Sequence, residues 1–522
     1  MSATLPPEPP TIGPDPAMQP APLMVLAEPG EEAADAAASR EEDGNASSVG
    51  GALRLLVASG PGRGGIVLFA IMLAISVWVA LTYPLDFGTA VWSNPAVWAD
   101  NPKGAPPVWS NALTGGHAVP HTIVTRDAPT SVSEISVGQV RQYDFPLAYG
   151  GGDAPTGLSL TLTGVTFSGR PPAVLVTLLR PDGGEIRLAG EAIAGPRPDE
   201  TSPYRRFYDV HDRILLADDP AVAGAVAQWY GQHYPNAPAP PDLSGNVEAA
   251  LFGRPAPNGP GAIEPLPGDY AVRVQAVVAD KADAFAPMTV VMGGTVYGVM
   301  GTDGLGRDIW QGLLYGFPIG LLIATLAALL STVIGASLGI LSGYAGGALD
   351  TVIQRASDIV SNVPVLPLLI FLVSVLGRHL WLIILILVAF SWPGLTILVR
   401  SMVLQLRSGQ LVEAARALGA SRGRIMRRHI FPQVAPFIVA QMIFFAPGAI
   451  LAEASLSFLG LGDPSIPTWG QMLEAGFSTG ALYIGYWWWI LPPGILIVLT
   501  ALAFTLLALA LEPIVDPRLR QP

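Results

Sequence analysis

Residues 413–433 read EAARALGASRGRIMRRHIFPQ. The stretch lies within some of the most apolar chain of the protein. Yet it holds Arg416, Arg422, Arg424, Arg427 and Arg428 against one acid, Glu413. Around it are long runs with no ionisable side chain: 309–349, 359–377, 380–399, 430–452 and 475–511. A bilayer core is crossed by ~20 apolar residues in a helix. Another run, GIVLFAIMLAISVWVALTY, ends at Tyr83. It is too long and too far into the chain for an ordinary signal peptide. Six crossings are therefore expected: 64–84, then roughly 315–342, 359–376, 380–399, 432–452 and 485–510.

An even number of crossings returns both termini to one side. The connection after the fourth span shares that side, and it carries Arg400, Arg407 and the five arginines above. The excess of arginine in short loops makes this face cytoplasmic. Arg54, Arg63, Arg355, Arg518 and Arg520 fall on the same face, and only Arg378 falls in the short loops opposite. The large segment between the first two spans is then extracytoplasmic, since long domains translocate largely regardless of charge.

Composition agrees with a membrane protein carrying soluble mass. Over 522 residues the mean hydropathy is +0.46, and charged residues are 13% against the usual quarter or so. A net charge of −12 gives no support to nucleic-acid binding. The lack of cysteine removes disulfides, thiolate zinc sites and thiol chemistry. Residues 1–63 read as a cytoplasmic tail, disordered where EEAADAAASREEDGNASS offers too little apolar surface to offset its ordering entropy.

Residues 85–300 read as a β-rich, sandwich-like domain. In PGDYAVRVQAVVAD, Tyr270, Val272, Val274 and Ala276 fall on one face and Arg273 and Gln275 on the other. AVLVTLLRPDGGEIRLAGEAI is two strand-like runs about a turn at Pro181–Gly184. DPAVAGAVAQWYGQHY reads as a helix, and 85–130 as loop rich in Trp, Asn and Pro.

Several chemistries lack their residues. There is no G-x-x-x-x-G-K-[ST] phosphate loop and no H-E-x-x-H. His117 and His121 are four apart but separated by Pro120, so no metal site is expected. The predicted spans hold no Asp, Glu, His or Lys to relay an ion. Energy for transport would then enter from outside the bilayer. Glu453 falls just beyond the fifth predicted span, where a packing or capping role is expected. Prolines 318, 364, 367, 393, 436, 447, 492 and 493 are expected to kink or break helices.

Within the basic connection, LVEAARALGA favours a helix, Gly419 suits the position that turns the chain after it, and Ser421 can cap a second short helix. Pro432 then stands near the start of the fifth span. Taken alone, this could be a basic anchor for anionic headgroups.

The spacing Glu413-Ala414-Ala415, three residues, Gly419, nine residues, His429, one residue, Phe431-Pro432 resembles the EAA motif of ABC importer permeases. Its ending is similar to that of the dipeptide/oligopeptide/nickel branch. GTDGLGRD (Gly301–Asp308), SGYAGGALD (Ser342–Asp350), AEASLSFLGLG (Ala452–Gly462), PTWG (Pro467–Gly470) and DPRLR (Asp516–Arg520) follow that branch's pattern in order. Phe317-Pro318 and Gln433 depart from it.

The resemblance implies an all-α polytopic membrane protein. Residues 301–522 would form a five-helix permease core preceded by one further helix, with the EAA loop at 400–432. It implies a second homologous permease, two ABC ATPase subunits holding ATP and Mg, an extracytoplasmic substrate-binding protein and the lipid bilayer as partners. No cofactor is expected on this chain. Glu413, Ala414, Ala415, Arg416, Gly419, Arg422, Arg424 and Pro432 would couple to the ATPases. Gly301, Thr302, Asp303, Gly306, Arg307 and Asp308 would mark the entry to the second helix. The family's short first connection gives no account of the roughly 220 residues here. An alternative reading is a membrane-anchored sensor or adhesion protein acting through that outer β domain.

Overall fold

The computed structural model describes residues 57–218, 220–235, 243, 247–257 and 261–515. The tail up to residue 56 and the Asp516–Arg520 match lie outside the described residues.

Helix α1 (Gly60–Thr82) starts where Ser59 Oγ accepts the Gly62 N–H at 3.0 Å, with a proline in the first turn. Both features favour a helix start. It lies along the last helix of the chain: Phe69 meets Phe504 edge-on at 5.4 Å. A Cβ at Gly65 would stand 2.9 Å from the Leu507 backbone nitrogen, so the small residue permits the contact.

The chain does not pass directly into the β domain. A wide helical turn at Phe87–Trp92 and a tight one at Val108–Ala112 come first. Phe87, Trp92 and Trp98 are buried in one cluster with Ile309, Leu313, Trp469 and Trp488. The Trp-rich stretch is therefore a collar on the helical bundle, a packing role that loop-like composition does not reveal.

Strands run from Thr122–Arg126 to Met288–Gly293. One antiparallel sheet holds, in spatial order, Ser131–Ile135, Gly138–Tyr149, Gly268–Val278, Ala173–Leu179 and Glu185–Ala192. A second holds Thr122–Arg126, Met288–Gly293, Gly157–Leu162 and Asp212–Leu215. Tyr270, Val272, Val274 and Ala276 all point inward, as their alternation predicts. With Phe145 they share one core with Leu160 and Val290 of the other sheet, the two-layer arrangement of a sandwich. Helices α2 (Pro220–His233) and α3 (Val247–Leu251) bury Val226, Trp229 and Leu251 against the same core. The hairpin at Pro181–Gly184 is present, with Gly183 at φ +81°.

Helix α4 (Ile309–Ala345) is one element of 37 residues, about 55 Å long at ~1.5 Å per residue. It passes through Pro318 without a break. Trp469 Nε1 donates to the Leu313 carbonyl at 3.0 Å, and Phe317 packs edge-on to the same indole at 5.1 Å. A neighbouring element thus supports the turns weakened by proline. The expected third span is not straight. Helices α5 (Gly347–Asn362) and α6 (Val365–Leu376) meet at 79°. Val363 is extended, at φ −72° and ψ 126°, because the residue before a proline is pushed out of helical geometry.

Helix α7 (Leu380–Leu406) overshoots its predicted end, so Arg400 is helical rather than in the loop. α4 and α7 approach through Gly335, Gly339 and Gly343. A Cβ on each would lie 2.9 Å from Trp392 O, 2.8 Å from Thr396 O and 2.8 Å from Val403 Cβ. This is the close small-residue packing of membrane helices.

Helix α8 (Gln410–Ala417) is followed by one long helix, α9 (Arg422–Leu461), which breaks from helical geometry only near its end, at Gly460 with φ +77°. The expected second short helix is therefore the first turn of the next long one. Ser421 occupies the cap position but its hydroxyl makes no capping bond. Met426–Ile430 widen into a π turn just before Pro432. Proline has no N–H to give and its ring crowds the carbonyl four residues earlier, which a wider turn accommodates. α9 also runs past 452, so Glu453 lies inside a helix, 6% exposed and accepting from Ser457 Oγ at 2.7 Å. The expectation that ionisable groups end the helices fails at Arg400 and Glu453, because both have partners. α10 (Trp469–Ser478) and α11 (Trp487–Val515) complete the bundle. Among the described residues, five helices are long and apolar enough to cross a membrane, or six if α5 and α6 form one bent span.

Candidate functional site

The sequence-predicted residues fall into two groups at opposite ends of α4. At its C-terminal end, α8 rests on the bundle. Val412 and Ala415 are buried in a cluster with Tyr344 of α4 and Val399 and Val403 of α7. The other face is open: Leu411 is 55% and Leu418 88% exposed, with Glu413, Ala414 and Arg416 exposed beside them. Exposed leucines at helical spacing flanked by alanines form a low ridge that another surface can approach closely.

The chain leaves α8 through Gly419 at φ +79°. Gly419 N–H donates to Arg416 O and Ala420 N–H to Ala415 O, each at 3.0 Å. This pair of bonds is the Schellman motif, which needs a left-handed residue and hence favours glycine. Beyond it Arg422, Arg424, Arg427 and Arg428 are exposed, as is Pro432. None of them makes an ion pair among the described residues. Of the predicted loop residues Glu413, Ala414, Arg416, Gly419, Arg422 and Arg424 are exposed, Ala415 is buried under α8, and Pro432 belongs to the base of α9.

Sequence reasoning missed what holds this end together. Arg400 donates to both oxygens of Asp350, at 2.6 and 2.7 Å. Ser342 Oγ also donates to Asp350, and Gln354 Nε2 donates to Ser342 Oγ at 3.1 Å. The clasp joins the end of α4, the start of α5 and the last turns of α7, next to α8. A bidentate pair of this kind is among the stronger polar contacts. Its signal was a lone Asp350 closing one uncharged run and a lone Arg400 closing another.

At the opposite end, Gly301–Asp308 is a closed knot. Thr302 is fully buried; its hydroxyl donates to Pro102 O at 2.6 Å and accepts from Ala105 N–H at 2.9 Å. Asp303, 1% exposed, accepts from the backbone N–H groups of Leu305 and Arg307, each at 2.9 Å, and pairs with the Arg307 guanidinium. Arg307 lies over the Trp92 ring at 4.3 Å. Gly306, at φ +83°, accepts from Asn101 Nδ2. A Cβ at Gly301, at φ +74°, would stand 2.4 Å from Ala105 O. Asp308 caps α4 by accepting from Trp310 N–H at 2.9 Å. Burial pushes its carboxyl up, and that hydrogen bond works against the shift. Thr302, Asp303 and Asp308 are all engaged within the chain, so the motif positions the collar and the helix entry.

Long apolar helices with a basic, glycine-jointed loop propped at one end define a multi-pass membrane protein. Residues 335–521 match the family described as "Binding-protein-dependent transport system inner membrane component". The dipeptide transport system permease protein DppC of Bacillus subtilis is 37% identical over 222 residues, covering 42% of this chain and 69% of that one. A putative peptide transport system permease of Brucella suis is 40% identical over 226 residues, covering 42% and 74%. A solved structure of the MetNI methionine ABC transporter aligns at 22% identity and a TM-score of 0.33, over 40% of this chain and 96% of that one.

The chain belongs to the binding-protein-dependent inner-membrane permease family, and is a permease subunit of an ABC importer. Members of this family are non-enzymatic subunits that act with ATPase and substrate-binding partners. The sensor-or-adhesion alternative is set aside by these matches. The sandwich at 122–293 lies outside the family match.

Proposed function

We propose that this subunit passes short peptides inward across the inner membrane. In this reading it pairs with a second homologous permease, and two separate ATPase subunits bind ATP and Mg beneath them. The named relatives support the peptide class. The loop at 400–432 and both termini face the cytoplasm, and the sandwich faces outward, where a binding protein delivers the cargo. The distribution of arginine supports this orientation.

One observation carries the coupling role: α8 is seated through Val412 and Ala415 while Leu411, Ala414 and Leu418 stay open. ATP-driven closure of the ATPases would push that ridge. The push would pass through the Gly419 joint into α9 and through the Asp350–Arg400 clasp into α4 and α7, as a rigid-body tilt. Glu413, Ala414, Ala415 and Gly419 set the docking shape, and Arg416, Arg422 and Arg424 supply charge complementarity. The test is co-purification of two ATPase chains with this subunit. Deleting 413–424 should abolish it; intact assembly after the deletion would refute the coupling role.

The sandwich docks the binding protein or covers the outer mouth. Its two ends are adjacent, since Thr295 N–H donates to Val119 O at 2.9 Å. Replacing 120–294 by a short linker should therefore impair uptake and leave ATPase assembly intact. Unchanged uptake kinetics would discard this role.

A further inference from the structure

A cavity of about 760 Å³ opens where the sandwich meets the collar. Small-molecule sites run to ~300–1,000 Å³ and favour such junctions. One wall is the collar, with Trp92, Trp98, Asp100 and Lys103; the other is the sandwich, with Arg213 and Asp218. The entry to α4 and the α9–α10 connection also reach the cavity. A ligand here would touch the sandwich and the bundle together.

The charges of the cleft are not all spent. Arg213 Nε meets Asp100 Oδ1 at 2.6 Å, tying the two walls. Arg307, also at the rim, is committed to Asp303. That leaves Lys103 on the collar and Asp218 on the sandwich, both exposed and neither in an ion pair among the described residues. A ligand of one charge would answer only one of them. A molecule carrying both charges answers both, and the exposed side chains of Leu215 and Leu305 give its apolar part a surface.

We propose that this cleft binds a small zwitterion, with the chemistry of a short peptide bearing free termini: carboxylate toward Lys103, ammonium toward Asp218. The charge pattern asks for a zwitterion; its identification as a peptide rests on the transport reading above. The site is built from a domain that the family match does not cover, so it is particular to chains with this insertion.

The experiment is calorimetric titration of the purified full chain in detergent with Ala-Ala, N-acetyl-Ala-Ala, Ala-Ala amide and alanine. Ala-Ala should bind saturably, and each blocked form at least about tenfold more weakly, the worth of one charge-assisted contact. K103D and D218K should each weaken Ala-Ala binding by a similar factor, and the double variant should recover it with the ligand reversed. Both side chains are exposed, so melting temperatures should not move. No saturable binding, equal binding of blocked forms, or a double variant as weak as the singles would overturn the site. Alanine binding as tightly as Ala-Ala would overturn the peptide assignment. The two readings fail separately. ATP-driven peptide uptake by the assembled wild-type transporter, with no binding to the isolated chain, would remove the cleft and leave the peptide permease standing. Absence of that uptake would remove the peptide reading instead.

Discussion

The two ends of α4 carry motifs of opposite character. Gly301–Asp308 is buried, with Thr302 and Asp303 locked by the collar and by Arg307. The loop from Leu411 to Arg428 keeps its leucine ridge and its arginines in the open. Burial and satisfied polar groups mark the first as scaffold. The second leaves apolar side chains exposed and cations that form no ion pair among the described residues, so it is open to a partner. A motif therefore reports a constraint, and only the packing says whether the constraint comes from within the chain or from outside it.

The largest expected effect is at the open end. Gly419→Pro cannot adopt φ +79° and loses the N–H that bonds Arg416 O. ATPase co-purification should fall to background. Recovery equal to wild type would erase the distinction between the two ends. At the closed end, Asp303→Asn removes the charged partner of Arg307 and should cost ~3 kcal/mol, the scale for breaking a buried pair. Gly301→Ala forces a side chain into a left-handed position against Ala105 O and should cost ~2 kcal/mol. Thermal melting of the detergent-solubilised chain reads both, and a change below ~0.5 kcal/mol in either would show that the knot is not scaffold. Leu418→Glu sharpens the contrast: stability should stay within ~0.5 kcal/mol, as for an exposed residue, while ATPase binding weakens markedly.

The smallest effect lies in the sandwich, away from both ends. Hydrogen bonds from Arg206 hold Glu200 down to about 2 from its usual 4.5. A depressed carboxyl stabilises the fold above pH 4.5, and that contribution fades as pH falls toward 2. Glu200→Gln should lose less of its near-UV circular dichroism between pH 5 and pH 3 than wild type does. Equal losses would show that this pair has no share in acid sensitivity.

Much of this arrangement is legible in the sequence, and the failures share one cause. Uncharged runs locate the long helices, and Glu-Ala-Ala with Gly419 locates α8 and its joint, because these signals are local. Period-two alternation locates Gly268–Val278 for the same reason. Helix ends were misjudged at Arg400 and Glu453 because their partners, Asp350 and Ser457, make a charge tolerable inside a helix. Of eight prolines in the spans, only Pro364 coincides with a break; at Pro318 the turns are supported by Trp469, a contact between distant residues that local pattern does not reveal. The collar was invisible because tryptophans in a loop-like stretch do not announce what they pack on. The ridge of Leu411 and Leu418 was missed because apolar residues at helical spacing usually face a core.

The chain has no cysteine, so Leu418→Cys provides a single thiol. Its maleimide reactivity should be measured in inside-out vesicles, with and without the ATPase subunits. The coupling account predicts rapid labelling of the permease alone and protection in the assembled, ATP-hydrolysing transporter. Equal labelling in both, or access only from the opposite face of the membrane, would contradict it.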